Sequence, residues 1–342
     1  MINQPKFSRL WALALVFLIG LSNLALAQDK VVNVYSSRHY DIDNELYQQF
    51  SEITGIKVNL IEANDNELIE RVLAEGSRSE GDMLLTSDAG RLWQAQDKGL
   101  LQSVSSEILE GIPDNLRDPE GYWFALTQRA RVIIYNSEKV SADELSSYED
   151  LTDAKWKGRI CVRSSTNIYN QSLLASLIVH HGEEAAEAWA QGIVDNFARK
   201  PQGGDTDQIL AVASGECDIA LANSYYFGRL LSDPSQQEAT KHLAIFFPNQ
   251  EDRGTHVNIS GAGILANAPH PEAALALLEY LLSPEVQGLF AEANNEFPVI
   301  ADVPANAILA SWGEFKKDDI NVALYGENNQ LAVQIFDRVG WP

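Results

Sequence analysis

The sequence predicts an α/β protein of two lobes, each a mainly parallel sheet flanked by helices. Three observations carry this prediction. Strand-like apolar runs alternate with helical periodicity in two successive blocks. The 342-residue chain, less an export signal, is longer than one core usually accommodates. No low-complexity tether and no short repeat separates the blocks, so the chain is expected to cross between lobes on strands, near RVIIYN and IFFPNQ, and those crossings could hinge.

The first residues read as a secretory signal. Lys6 and Arg9 form a positive region, Leu10 to Leu21 an apolar stretch, and Ala25-Leu26-Ala27 a small-x-small cleavage site. Ser22 and Asn23 interrupt the apolar run well short of the roughly 20 residues that span a bilayer. Cleavage is expected, with the mature chain starting near Gln28 in the periplasm, and no cysteine near that site offers a lipid anchor.

In the first block VVNVY reads as a buried strand, and residues 44–54 have helical spacing with Leu46, Tyr47, Phe50 and Ile53 on one side and Gly55 as a stop. Residues 57–62 form the next strand. Asp65 is a candidate cap for a helix carrying Leu68, Ile69, Val72 and Leu73. DMLLT and a helix from Ala89 to Lys98, closed by Gly99, complete a β-α-β-α-β-α order. The second block runs from RVIIYN (131–136) through RICV, helices at 171–181 and 183–191, and DIALA. HLAIFF and THVNISGAGILA then lead back to a helix-rich tail in which PEAALALLEYLL is the clearest amphipathic element. The expected boundaries are 28–130 with 250–300 for the first lobe, 131–249 for the second, and 301–342 for a helical segment packing on both.

The formal charge is −23, and loss of the signal removes two positive residues and no acids. A surface this acidic excludes nucleic acid as a partner, since phosphate binding needs a basic face. The two cysteines, Cys161 and Cys217, sit in an exported context where a disulfide is expected, two buried free thiols being the other reading. No other cysteine or close histidine completes a soft metal site. His180 and His181, at the end of an apolar helix, read as partners of the helix dipole. No H-E-x-x-H, C-x-x-C or G-x-G-x-x-G occurs, Ser260-Gly261-Ala262-Gly263 has neither phosphate-loop nor nucleophile-elbow spacing, and no catalytic motif marks an enzyme.

The informative residues are Tyr225 and Tyr226, side by side where the strand-like DIALA gives way to the helix-like FGRLL. Neighbours on a regular helix point about 100° apart, so the pair can converge only at such a junction, with Ser224 as a candidate cap. Deprotonated phenols are hard anionic oxygens suited to a small trivalent cation, and a helix N-terminus favours the phenolate. Arg229 shares a face with both rings and could offset their charge. Tyr40 and Tyr169 lie in polar loop sequences after strands, HYDID and TNIYNQ, with little apolar periodicity to account for them. His39 reads equally as ligand, supporting donor or loop residue; Arg38 and Arg129 are charge-neutralising candidates against a solvated-surface alternative. Ligands of open α/β sheets sit beyond the carboxyl ends of strands, where the segments 36–40, 87–88, 164–169 and 223–226 all fall.

SSRHYD, DAGRLW, NLRDPEGYWFALTQRARVIIYN and ANSYYFGRL together resemble the periplasmic ferric-binding proteins of bacterial iron ABC importers, over essentially the whole mature chain. The resemblance implies the two-lobed type II periplasmic binding fold and Fe(III) as bound cargo, held by Tyr40, Tyr169, Tyr225 and Tyr226, with His39 matching a position that binds metal in some members. It implies a monomer that hands iron to a membrane permease, and it matches Arg129 to a residue that tempers the charge of the site. Phe297 departs from a tyrosine common in relatives, away from the expected ligands. The alternative reading is a binding protein of the same fold that clamps a small organic anion with Arg38, Arg129 and Arg229.

Overall fold

The computed structural model describes residues 30–342, so the signal segment lies outside the described residues. The first lobe opens with β1 (Val31–Ser36), α1 (Asp41–Thr54), β2 (Lys57–Glu62), α2 (Asp65–Glu75), β3 (Met83–Thr86) and α3 (Ala89–Asp97). β1 pairs in parallel with β2 on one side and β3 on the other. α1 buries Leu46, Tyr47 and Phe50 and stops at Gly55, whose left-handed φ of 72° lets its N–H reach the Ser51 carbonyl. Asn64, not Asp65, caps α2: its side chain accepts the Glu67 N–H at 3.0 Å, and Asp65 becomes the first helical residue. An aspartate in a first turn is favoured by the helix dipole, which accounts for the one-residue difference.

After β4 (Leu101–Gln102) comes β5 (Phe124–Asn136), buried along its whole length. This strand begins well before the RVIIYN run, and the apolar pattern does not show it because FALTQRA contains buried polar residues. Each has a partner: Thr127 donates to Glu296 at 3.0 Å, Gln128 to the Pro298 carbonyl at 2.9 Å, and Arg129 to Ser260 at 3.0 Å. The chain continues through β6 (Ile160–Cys161), α4 (Ile168–His181), α5 (Glu183–Asp195), α6 (Asp205–Ser214), β7 (Ile219–Asn223), α7 (Ser224–Ser232), β8 (Leu243–Phe246), β9 (Val257–Leu265), α8 (Pro271–Leu281), α9 (Pro284–Asn294) and α10 (Asn329–Val339).

The strand order is β2-β1-β3-β9-β5-β7-β6, with β4 on β9 and β8 on β5. β5 joins the two lobes: up to Ala130 it pairs antiparallel with β9, and from Arg131 onward it pairs antiparallel with β7 and β8. The sheets are therefore mixed rather than mainly parallel. Strands that carry the chain from one lobe to the other and back run against their neighbours, so β5 and β9 interrupt the parallel β1–β3 and β6–β7 pairings. The return crossing is residues 247–256, between β8 and β9.

α10 packs on α4 and α5, and the short helix Ala323–Glu327 packs on α3 and α4, so the C-terminal segment touches elements on both sides of the crossing. The approach to α3 is close: a Cβ at Gly326 would stand 2.3 Å from the Trp93 Cβ. Cys161 and Cys217 form a disulfide with Cα atoms 5.9 Å apart, tying β6 to the turn before β7. Trp123 and Trp156 are wholly buried packing residues.

Candidate metal centre

The junction of β7 and α7 builds the core of the site. Asn223 ends the strand and takes the cap position, and the hydroxyl of Ser224 accepts the Ala130 N–H of β5 at 3.2 Å instead of capping the helix. β5 presents an N–H there because its pairing switches from β9 to β7 at that residue, and this bond pins the helix start to the crossing strand. Tyr225 and Tyr226 occupy the first turn with ring centres 4.1 Å apart and planes 30° apart, a stacked pair. Phe227 and Leu230 join a core cluster with Ile134, Ile209 and Ala222, against which Tyr226 also packs. Arg229, one turn on, holds its guanidinium carbon 5.0 Å from the Tyr225 ring centre and 6.0 Å from that of Tyr226.

Tyr169 arrives from the first turn of α4, where the Asn167 side chain accepts its N–H at 3.2 Å. Its hydroxyl lies 3.4 Å from the hydroxyl of Tyr225. The guanidinium carbons of Arg163 and Arg129 are 5.5 and 5.7 Å from its ring centre. Tyr40 comes from the other lobe, at the cap position of α1 after β1. Its ring lies between Arg38 and Arg229, each 4.7 Å away. Three of the four tyrosines singled out in the sequence are thus in mutual contact, and Tyr40 is linked to Tyr225 through Arg229, which lies over both rings.

Burial pushes the Tyr225 phenol well above its ordinary range, and the neighbouring Tyr169, Tyr40 and Tyr226 add to this while Arg129 opposes it. Tyr226 is raised by burial, then by Tyr169 and Asp205. Tyr40 is raised by burial and by Glu296, against Arg38 and Arg229. Without a cation these three phenols are neutral at neutral pH, and anything that binds through their oxygens must displace their protons.

Arg38 and Arg129 are interior residues, not solvated ones. Arg38 grips Asp43 through two bonds of 3.1 and 3.0 Å. Arg129 donates to Ser260 and stands 3.9 Å from Glu296. His39 faces solvent, its Nδ1 3.3 Å from Glu62. His180 and His181 reach side-chain carboxylates, Asp318 at 2.7 Å and Glu149 at 2.9 Å. Arg131, Arg163, Asp205 and Glu296 also border the site, although sequence reasoning did not single them out. The signal for Arg131 was present, a charged residue heading an apolar strand; Glu296, between Asn295 and Phe297, sits in no periodic pattern. Among the described residues no cluster of three or more His, Cys, Asp or Glu side chains could hold a metal. The phenol oxygens of Tyr169 and Tyr225 are hard donors placed 3.4 Å apart.

A family model described as bacterial extracellular solute-binding protein matches residues 45–317. Iron uptake protein A1 of Synechocystis sp. is 53% identical over 317 residues, covering 92% of this chain and 88% of the relative. A solved structure of the Trichodesmium protein IdiA (FutA) in complex with iron and citrate superposes with a TM-score of 0.88 at 56% identity, covering 91% of this chain and all of that one. The ferric binding protein of Campylobacter jejuni gives a TM-score of 0.87 at 43% identity, again covering 91% of this chain and 100% of that one.

Proposed function

The chain belongs to the bacterial extracellular solute-binding protein family, and from that premise we propose that it captures Fe(III) through clustered tyrosinates and delivers it to an ABC importer. The observation that supports this reading is the gathering of phenols around Arg229, which lies over both Tyr40 and Tyr225, with the Tyr169 and Tyr225 hydroxyls 3.4 Å apart and Tyr226 stacked on Tyr225. Four phenolates around a trivalent ion carry one net negative charge, which Arg38, Arg129 and Arg229 temper; a divalent ion would leave more charge uncompensated. His39 is the candidate fifth ligand, reached by turning from Glu62.

Among the described residues, 30–130 with 250–300 form the first lobe, 131–249 the second, and 301–342 the segment that packs on both. Iron favours the closed cleft, because Tyr40 and the other three tyrosines belong to different lobes. A permease reads the closed form. The protein acts as a monomer in the periplasm after its signal is removed, and nucleic acid is no partner. An organic-anion clamp is the weaker reading, since Arg38 is already engaged by Asp43 and Arg129 by Ser260.

The test is visible absorbance of the metal-free mature protein as Fe(III) is added from a weak chelator. A phenolate-to-iron charge-transfer band saturating at one equivalent, abolished in Tyr225→Phe/Tyr226→Phe, is expected. A folded protein with no band would sink the reading.

A further inference from the structure

The residue at which β5 changes partners, Arg131, sends its side chain into the second lobe. Its Nη1 donates to Asp205 at 2.7 Å and to the Asn223 side chain at 3.1 Å, and its Nη2 donates to the Asn170 side chain at 2.8 Å. These acceptors are the roots of the tyrosine ligand set. Asn170 follows Tyr169 directly, and Asn223 starts the helix whose first turn carries Tyr225 and Tyr226. Asp205 closes the frame by accepting the Asn223 backbone N–H at 2.8 Å. Asn170 then donates to the carbonyls of Arg163 and Ser164 at 2.9 and 3.2 Å, so the loop before Tyr169 is tied to the same hub. Arg163 stands 3.7 Å from the other Asp205 oxygen and reaches over the Tyr169 ring.

Resting on the iron reading above, we infer that Arg131, held by Asp205, is the positioning residue that sets the relative geometry of the Tyr169, Tyr225 and Tyr226 oxygens. The pair is buried, with side-chain exposures of 1% and 0%. An ion pair this deep adds little net stability over apolar residues of similar volume. It does supply direction: a planar guanidinium fork fixes several acceptors at once, which an ammonium cannot do. A metal site needs its donor atoms held to about 0.5 Å, and tyrosines on two separate helix starts have no covalent means of keeping that register. The β5 backbone at Arg131 is anchored in turn, its N–H donating to the His256 carbonyl at 2.9 Å, so the hub is referred to the crossing between lobes.

Three variants test this. Arg131→Lys keeps a cation beside Asp205 and loses the fork. Asn223→Ala removes one bond of the brace and leaves the ion pair intact. Leu278→Ala, in the core of the first lobe, is the control for lost stability alone. Fe(III) affinity by chelator competition, the charge-transfer band and Tm are measured for each. The two brace variants should lose ~10–100-fold in affinity and show a displaced band, the range found when residues that orient metal ligands are removed. Leu278→Ala should lower Tm with band and affinity unchanged. Wild-type affinity and band in Asn223→Ala overturn the inference, including when Arg131→Lys fails to fold, as does a Leu278→Ala control that shifts the band equally. If the wild type gives no band, the iron reading itself fails. Ring NMR signals of Tyr169, Tyr225 and Tyr226 in the metal-free protein then decide the brace: shifted signals in Asn223→Ala support it and unmoved ones overturn it.

Discussion

The guanidinium carbon of Arg229 lies 4.7 Å from the ring centre of Tyr40, a contact between α7 of one lobe and the loop after β1 of the other. Because Arg229 also covers Tyr225, one side chain bridges phenols from both lobes. A desolvated cation–π contact contributes about 1–2 kcal/mol, which corresponds to roughly a five- to thirtyfold change in an equilibrium. Arg229→Gln should therefore open the cleft more readily and release iron to a chelator faster by about that factor. Stopped-flow extraction reads this, and an unchanged rate would remove the bridging role.

Acid should weaken iron capture, and the sign follows from the phenols. Tyr225, Tyr226 and Tyr40 hold their protons more tightly than a free tyrosine, burial being the first cause in each case. Iron must displace those protons, so each phenol lost from the ligand set lowers the pH dependence by about tenfold in affinity per pH unit. Titrating affinity between about pH 6 and 8 should give a slope of at least two protons, reduced by about one in Tyr225→Phe. A flat profile is incompatible with binding through neutral phenols.

Most of the fold was legible because periodicity and stop signals are local. The Tyr225–Tyr226 pair stood out for the same reason, as two phenols at a strand-to-helix junction. What escaped were residues whose significance depends on distant partners. Thr127 and Gln128 interrupt an apolar run, yet each is satisfied by a residue more than a hundred positions away, and the start of β5 was missed with them, although Arg129 beside them stood out by its charge. α6 begins with Asp205 and includes buried Gln208, polar groups that read as surface until their partners are placed. The mixed pairing of β5 and β9 is likewise a matter of topology, which alternation of strands and helices does not specify.

The Cys161–Cys217 disulfide closes a separation of 56 residues around α4, α5 and α6. Cross-linking lowers the entropy of the unfolded chain, so Cys161→Ala/Cys217→Ala should lose about 2–4 kcal/mol in urea unfolding. Iron binding should persist, since the brace from Arg131 to Asp205, Asn170 and Asn223 does not pass through either sulfur. Loss of the charge-transfer band in a folded double variant would contradict that separation of roles.

Two groups should withdraw stability on acidification, each in its own window. His256 is buried against Tyr325, ring centres 4.7 Å apart, and burial followed by the charges of Arg131 and Arg253 holds it well below its ordinary 6.5. The unfolded chain takes up that proton below about pH 6.5 while the folded chain does not, so stability present above this pH declines as pH falls, by about 1.4 kcal/mol per unit for one proton. Glu149 acts lower down. Burial works against its charge, but the Asn249 amide at 2.9 Å and Arg253 hold it at about 2, against an ordinary 4.5. Its contribution is complete above about pH 4.5 and lost as pH drops toward 2. In urea midpoints from pH 8 to 3 the His256 contribution should decline below about 6.5 and the Glu149 contribution below about 4.5, while Asp88, raised by burial to about 6, acts the other way between about 6 and 4. His256→Phe should flatten the upper window and Glu149→Gln the lower. A His256→Phe profile parallel to the wild type between pH 6.5 and 5 would assign the upper window to another group.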